Sequence, residues 1–150
     1  MAHLLVAHHS PSPPTHQLLE AVLSGLSRPE LATVHVEVLP ALAVTASHVL
    51  EADGYVLGTT ANFGYMSGAL KHMFDTTFYT CLDATAGRPW GLWVHGNDDT
   101  DTAVESVRRI VVGLKWREVA HPVSVRGTPT TVDLEELEDL AATVASHLID

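Results

Sequence analysis

The sequence predicts an α/β fold of three layers, a five-stranded parallel sheet between two layers of helices. Short, almost wholly apolar runs alternate with longer amphipathic ones along the chain, which is the mark of repeated strand–helix units. Most of the apolar runs also lack polar alternation, as strands must when helices cover both faces of the sheet. A length of 150 residues suits one such domain over 1–150, with enough chain to bury a single core.

The strands are expected at residues 4–7, 33–39, 54–57, 90–94 and 119–125. After the first, Leu18, Leu19, Val22, Leu23 and Leu26 recur at helical spacing, and Val104, Val107, Ile110, Val111 and Leu114 do so after the fourth. Leu134, Leu137, Leu140, Val144 and Leu148 repeat the pattern in a last helix, with Asp133 placed to cap it. A helix over 67–78 follows the third strand, and 44–52 has room only for a short one. Right-handed crossovers then favour the strand order 2-1-3-4-5, in which a ligand binds beyond the carboxyl ends of strands one and three, where the order reverses.

Charge and cysteine usage narrow the function. With 8 basic and 18 acidic residues the formal charge is −10, which argues against nucleic acid or an anionic membrane as partner. Cys81 is the only cysteine, so no intrachain disulfide forms and the residue reads as a small buried hydrophobe. The amino-terminal residues read as a strand rather than a leader, no run is long enough to span a bilayer, and the cytoplasm is the expected compartment. The ten histidines show no metal-ligand spacing, and His8 and His9 would point to opposite sides of a strand. No G-x-S-x-G elbow marks a serine hydrolase. A phospho-acceptor receiver domain would need aspartates at the ends of strands one and three, where His8 and Gly58 stand. Trp90, Trp93 and Trp116 read as core or interface.

Three loops remain as candidates. After strand one, His8, His9, Ser10, Pro11, Ser12, Pro13, Pro14 and Thr15 lead into a helix. Ser10, Ser12 and Thr15 offer hydroxyls to a phosphate, with the amides of Ser12, Thr15 and His16 beside them. The same residues also describe plain capping, with Ser12 as N-cap and Pro13 at the first helical position. After strand three, the run from Gly58 through Thr59, Thr60, Ala61, Asn62, Phe63, Gly64, Tyr65 and Met66 to Ser67 and Gly68 brings main-chain amides and aromatic faces together. Ser67 is placed to cap the next helix. After strand four come His95, Gly96, Asn97, Asp98, Asp99 and Thr100, with Asp99 or Thr100 as the next N-cap.

The stretch Ala52-Asp53-Gly54-Tyr55-Val56-Leu57-Gly58-Thr59, followed by Asn62-Phe63-Gly64-Tyr65-Met66-Ser67-Gly68-Ala69-Leu70-Lys71 and Phe74-Asp75, closely resembles the flavodoxin-like family that includes FMN-dependent NAD(P)H:quinone oxidoreductases. Members carry Ala-Asp-Gly, a strand, Gly-[Ser/Thr]-Pro, then Phe-Gly-x-Met-Ser-Gly and a Lys and Asp on the next helix. The resemblance implies a flavodoxin-like domain holding FMN, with Ser10, Ser12 and Thr15 on the hydroxyl positions of the phosphate loop. Pro13 and Pro14 depart from the family, which has a glycine and a residue with an N–H there, so two amides are absent. Thr60 replaces a proline common in relatives.

By the same resemblance Thr59, Thr60, Ala61, Asn62, Phe63 and Gly64 line the isoalloxazine ring, with Phe63 stacking, and His95, Gly96, Asn97 and Asp98 flank its other edge. Electron transfer, or NAD(P)H-dependent reduction of a quinone-like or other small acceptor, is the function it implies, with no catalytic side chain. Nicotinamide would approach past residues 77–88, Arg88 is a candidate for a cofactor phosphate, and Asp98 and Asp99 would lower the flavin potential. Relatives commonly form homo-oligomers. A cofactor-free binding or regulatory module that keeps the fold is the competing expectation.

Overall fold

In the computed structural model, which describes residues 1–149, strands and helices alternate as the apolar runs require. β1 (Ala2–His8) leads to α1 (Pro13–Leu26), and β2 (Val34–Pro40) to the short α2 (Ala46–Glu51). β3 (Gly54–Asn62) and a two-residue arm, β4 (Tyr65–Met66), lead to α3 (Gly68–Cys81), and β5 (Pro89–Gly96) leads to α4 (Thr100–Leu114). β6 (Arg117–Glu118) and β7 (Val123–Arg126) precede α5 (Thr131–Ser146). The sheet runs β2, β1, β3, β5, with β6 and β7 lying end to end along the outer side of β5. Together they fill the fifth place, so the parallel order is the expected 2-1-3-4-5.

Two strands differ from their expected extent. The fifth is broken, because β6 pairs with Pro89 and Trp90 while β7 pairs from Trp93 to Gly96, and His121 and Pro122 between them leave the ladder. Pro122 has no N–H to donate there. The third runs five residues past the expected Leu57, since Gly58, Thr59 and Thr60 pair parallel with Trp93, Val94 and His95 of β5, and Ala61 and Asn62 pair antiparallel with Met66 and Tyr65 of β4. Its polar end shows no apolar run, and pairing first with β5 and then with β4 keeps it extended.

Alternation along the strands divides the core between the two faces. Leu5, Ala7, Tyr55, Leu57, Leu92 and Val94 are buried beneath α2, α3 and α4. Leu4, Val6, Val56, Trp93, Val123 and Val125 are buried beneath α1 and α5. Trp93 lies flat against Gly58, where an added Cβ would fall 2.0 Å from its ring. Only glycine lets β3 pass at that height.

The amino-terminal end of the sheet is bound by a hub. Arg88, just before β5, donates through Nη1 to the carbonyls of Val49, Leu50 and Ala52 at 3.3, 2.8 and 2.6 Å. These are carbonyls at the end of α2, which have no partners within the helix. Tyr55 Oη donates to Val49 O at 2.6 Å, and its ring stacks on Trp116 with centroids 3.8 Å apart. Burial pushes the Tyr55 phenol up to about 12, so it stays protonated. Trp116 Nε1 donates to Thr85 Oγ1 at 2.8 Å. Trp90, Trp93, Trp116 and Cys81 are all buried. Among the described residues no helix is long and apolar enough to cross a membrane.

Candidate functional site

Where the strand order reverses, β1 ends at His8 beside Gly58 of β3. Ser12 is the N-cap of α1, with Pro13 and Pro14 as its first two residues. Thr15 N donates to Ser12 Oγ at 3.5 Å, Ser12 N donates to Thr15 Oγ1 at 2.9 Å, and Thr15 Oγ1 donates to Ser12 O at 2.8 Å. His16 N donates to Ser12 O at 3.0 Å, and His9 N to Gly58 O at 3.0 Å. This corrects the expectation that the amides of Ser12, Thr15 and His16 stand ready for a phosphate. Each already has an acceptor, and the prolines have no amide to offer.

The hydroxyls are less committed. Thr15 is 3% exposed and its one proton serves Ser12 O, so in the 3.0 Å contact between the two hydroxyls Ser12 must be the donor. Because Ser12 N also satisfies Thr15 Oγ1, the Ser12 proton can turn to a ligand without orphaning its neighbour. Ser10 Oγ lies 2.9 Å from His8 Nδ1. Burial, and then the charges of His16 and His9, hold the His8 imidazole below its ordinary value.

The second loop is a hairpin. Between β3 and β4 the two-residue turn places Phe63 at φ 54° and Gly64 at φ 76°, the paired left-handed geometry that suits tight hairpins. Gly64 takes this backbone freely. Phe63 does not, because its Cβ crowds the following carbonyl at a cost of roughly 1–2 kcal/mol. Its ring is nevertheless fully exposed, at 105%. The hairpin's base is fixed from several sides. Ser67 N donates to Thr59 Oγ1, Met66 N to Ser106 Oγ and Thr60 Oγ1 to Asn62 Oδ1, at 2.9, 3.0 and 2.9 Å. Ser67 caps α3 as expected, accepting from Leu70 N at 3.2 Å.

The third loop holds the hairpin from across the site. Asp99 is the residue before α4, but its carboxylate does not cap that helix. Its Oδ2 accepts from Gly64 N at 3.0 Å and its Oδ1 from Asn97 N at 3.4 Å. The Gly64 bond holds the carboxyl below the usual carboxylate range, so Asp99 is anionic at neutral pH. Asp98 and Asn97 are exposed. His95 Nε2 donates to Gly127 O at 2.8 Å, which requires the proton on that nitrogen and ties the end of β5 to the turn after β7. Gly96 lies under Ala61, where an added Cβ would come within 2.8 Å.

The residues proposed for the flavin therefore lie at the carboxyl-terminal edge of the sheet: Ser10 and Ser12 in the loop after β1, Thr15 and His16 in the first turn of α1, residues 59–62 at the end of β3, Phe63 and Gly64 in the hairpin turn, and residues 95–98 at the end of β5 and just after it. Arg88 and the segment around it do not. The guanidinium sits at the opposite edge on the end of α2, where main-chain carbonyls take up its donors, which corrects the expectation that Arg88 is held ready for a cofactor phosphate. The last helix is capped by Thr130 rather than Asp133, which instead accepts from Thr130 N at 2.8 Å.

Sequence reasoning missed the tie from Asp99 to Gly64 and the grouping of His8, His9 and His16. The first joins residues 35 apart and leaves no local signal. The second was readable as three imidazoles within nine residues, without an acid before Glu20.

The donor set at this edge fits a flavin phosphate in an altered form. Ser10 and Ser12 offer hydroxyls where two amides are missing, His8, His9 and His16 lie within the same nine residues, and Phe63 presents an aromatic face. In a chain of 18 acids, the runs 1–19 and 54–74 contain none, so no carboxylate on the first two loops would repel the phosphate. Among the described residues no group of three His, Cys, Asp or Glu side chains is arranged to hold a metal ion.

The flavodoxin from Streptococcus pneumonia TIGR4 is 22% identical over 97% of this chain and 99% of its own, with a TM-score of 0.81. Oxidised Flavodoxin 1 from Bacillus cereus is 18% identical over 99% of this chain and 100% of its own, with a TM-score of 0.84. A WrbA-like flavodoxin from Agrobacterium tumefaciens is 15% identical over 99% and 98%, with a TM-score of 0.75. The chain has the flavodoxin-like fold. Neither a family model nor a curated protein matches its sequence.

Proposed function

We propose that the chain binds FMN across the carboxyl ends of β1, β3 and β5 and serves electron transfer. It would do so as an NAD(P)H-fed reductase of a quinone-like or other small acceptor, or as a carrier between protein partners. The observation that carries this reading is Phe63, a bulky ring held in a left-handed backbone and fully in water. Strained backbone of this kind clusters at ligand-binding sites. A planar heteroaromatic ring is the ligand that such a face accepts.

In this reading Ser10, Ser12 and His16 hold the phosphate, and Thr15, whose proton and amide both serve Ser12, positions the Ser12 hydroxyl. Thr59, Thr60, Ala61, Asn62, Phe63 and Gly64 border one side of the ring, and His95, Gly96, Asn97 and Asp98 the other. Bound FMN would supply hydride or single-electron chemistry. The chain's own part is to orient and exclude water. Asp99 fixes the hairpin through Gly64, and its charge, with that of Asp98, disfavours a further negative charge on the ring when they lie within a Debye length of roughly 8 Å. No side chain need act as acid or base.

The test is flavin content. A yellow protein as purified, or stoichiometric quenching of FMN fluorescence by the colourless protein, is the expected result. A second reading, a cofactor-free binding or regulatory module, is favoured by the occupied and missing amides of α1. A colourless protein indifferent to FMN at any concentration tried would support it and remove the first. NADH or NADPH oxidation with a quinone, against electron exchange with a protein partner alone, separates reductase from carrier.

A further inference from the structure

We infer that His8, His9 and His16 supply, when protonated, the positive charge that the proline-blocked first turn of α1 does not, so that the site takes a phosphate monoester more tightly as pH falls. This rests on the FMN reading above and adds what governs the phosphate end of that site.

The case begins with the absent donors. The N-terminus of a helix attracts anions through free amides and its dipole. Here two of those amides do not exist and the others are engaged with Ser12. Hydroxyls alone carry no charge. The imidazoles stand within nine residues of one another, with His8 ending β1, His9 following it and His16 in the first turns of α1.

The neighbours of His8 leave that charge unopposed. Its partners in the sheet are Pro40 of β2 and Gly58 of β3, both uncharged. The end of β3 and the β4 hairpin carry no acid. On α1 the first carboxylate is Glu20, a turn beyond His16. From α5, Glu138 meets Ser24 and Asp139 meets Arg28, both at the far end of α1. Burial first, and then the charges of His16 and His9, disfavour a proton on His8. A phosphate placed beside it favours that proton.

The proton also has a relay into the site. When His8 is protonated, Nδ1–H donates to Ser10 Oγ across the 2.9 Å contact. The Ser10 hydroxyl is then free to donate outward to the phosphate oxygen. Riboflavin, which lacks the phosphate, would gain nothing from this.

FMN and riboflavin would be titrated into the flavin-free protein from pH 8 to pH 6.5 by fluorescence, above the point near pH ~6 where a phosphate monoester loses its second charge. FMN should bind more tightly as pH falls, by up to about tenfold per pH unit for one proton taken up. Riboflavin should show a flat profile, and His16→Gln should reduce the FMN slope. By NMR, the ring protons of His8 and His16 should titrate at higher pH with FMN bound. FMN binding with the same profile as riboflavin, or imidazoles whose titration FMN leaves unmoved, would overturn the inference and leave the FMN reading standing. If neither flavin binds at any pH, both fall.

Discussion

At the amino-terminal edge of the sheet, Arg88 reaches back nearly forty residues to three carbonyls of α2, and Trp116 stacks on a tyrosine some sixty residues earlier. At the carboxyl-terminal edge the bonds are mostly local: Ser12 with Thr15, His8 with Ser10, Thr60 with Asn62. The long ties there, Asp99 to Gly64, Met66 to Ser106 and His95 to Gly127, join the second and third loops to their surroundings, and the first loop is held by one main-chain bond from His9 to Gly58. Long-range contacts resist unfolding of the whole domain, whereas local ones set the shape of single loops. The division leaves the loops that would meet a ligand free to carry strain and exposed aromatic surface.

That contrast can be broken from the amino-terminal side first. Trp116→Ala removes the ring over Tyr55 and should cost about 3–5 kcal/mol in chemical denaturation. Arg88→Met should cost about 2 kcal/mol by leaving the ends of α2 unpaired, with any flavin affinity of the folded protein little changed. A loss of affinity as large as the loss of stability would show that the two edges are coupled.

The other edge should respond in the opposite sense. Phe63→Gly relieves the left-handed strain and should raise stability by up to about 1 kcal/mol. The same change should weaken FMN binding by about tenfold if the ring stacks. A variant both less stable and unchanged in affinity would argue that Phe63 has a structural role only.

The smallest effect concerns pH. Because folding lowers the His8 pKa from 6.5, the unfolded chain takes up the proton first. The stability of the ligand-free protein is therefore complete above about pH 6.5 and declines as pH falls below it. His8→Gln should flatten the decline, measured as thermal midpoint against pH. An identical decline in the variant would assign it to other groups.

Much of this was legible in the residues. Strands buried on both faces announce themselves, as residues 4–7 and 90–94 do, because nearly every side chain must be apolar. The extension of β3 through Thr59, Thr60, Ala61 and Asn62 was not legible, since its polar composition reads as loop and its partner β4 is two residues long. The break at His121 and Pro122 was hidden within an otherwise apolar run. At the site, the hydroxyls of Ser10, Ser12 and Thr15 could be placed on one turn from spacing alone. Whether the amides beside them were free could not, because that depends on the reciprocal bonds of Ser12 and Thr15. Arg88 shows the opposite limit, an arginine whose partners lie on a helix that composition marks only faintly.

The interrupted fifth strand has a consequence for association. An uncovered sheet margin is a template on which another chain can lay a strand, and aggregation often begins there. On this side the margin offers two residues, a kink at an imino acid and then four more, too little for a foreign strand to register against. The opposite margin, β2, carries Glu37 and ends in Pro40. Ribbon-like stacking is thus discouraged most at the border formed by β6 and β7.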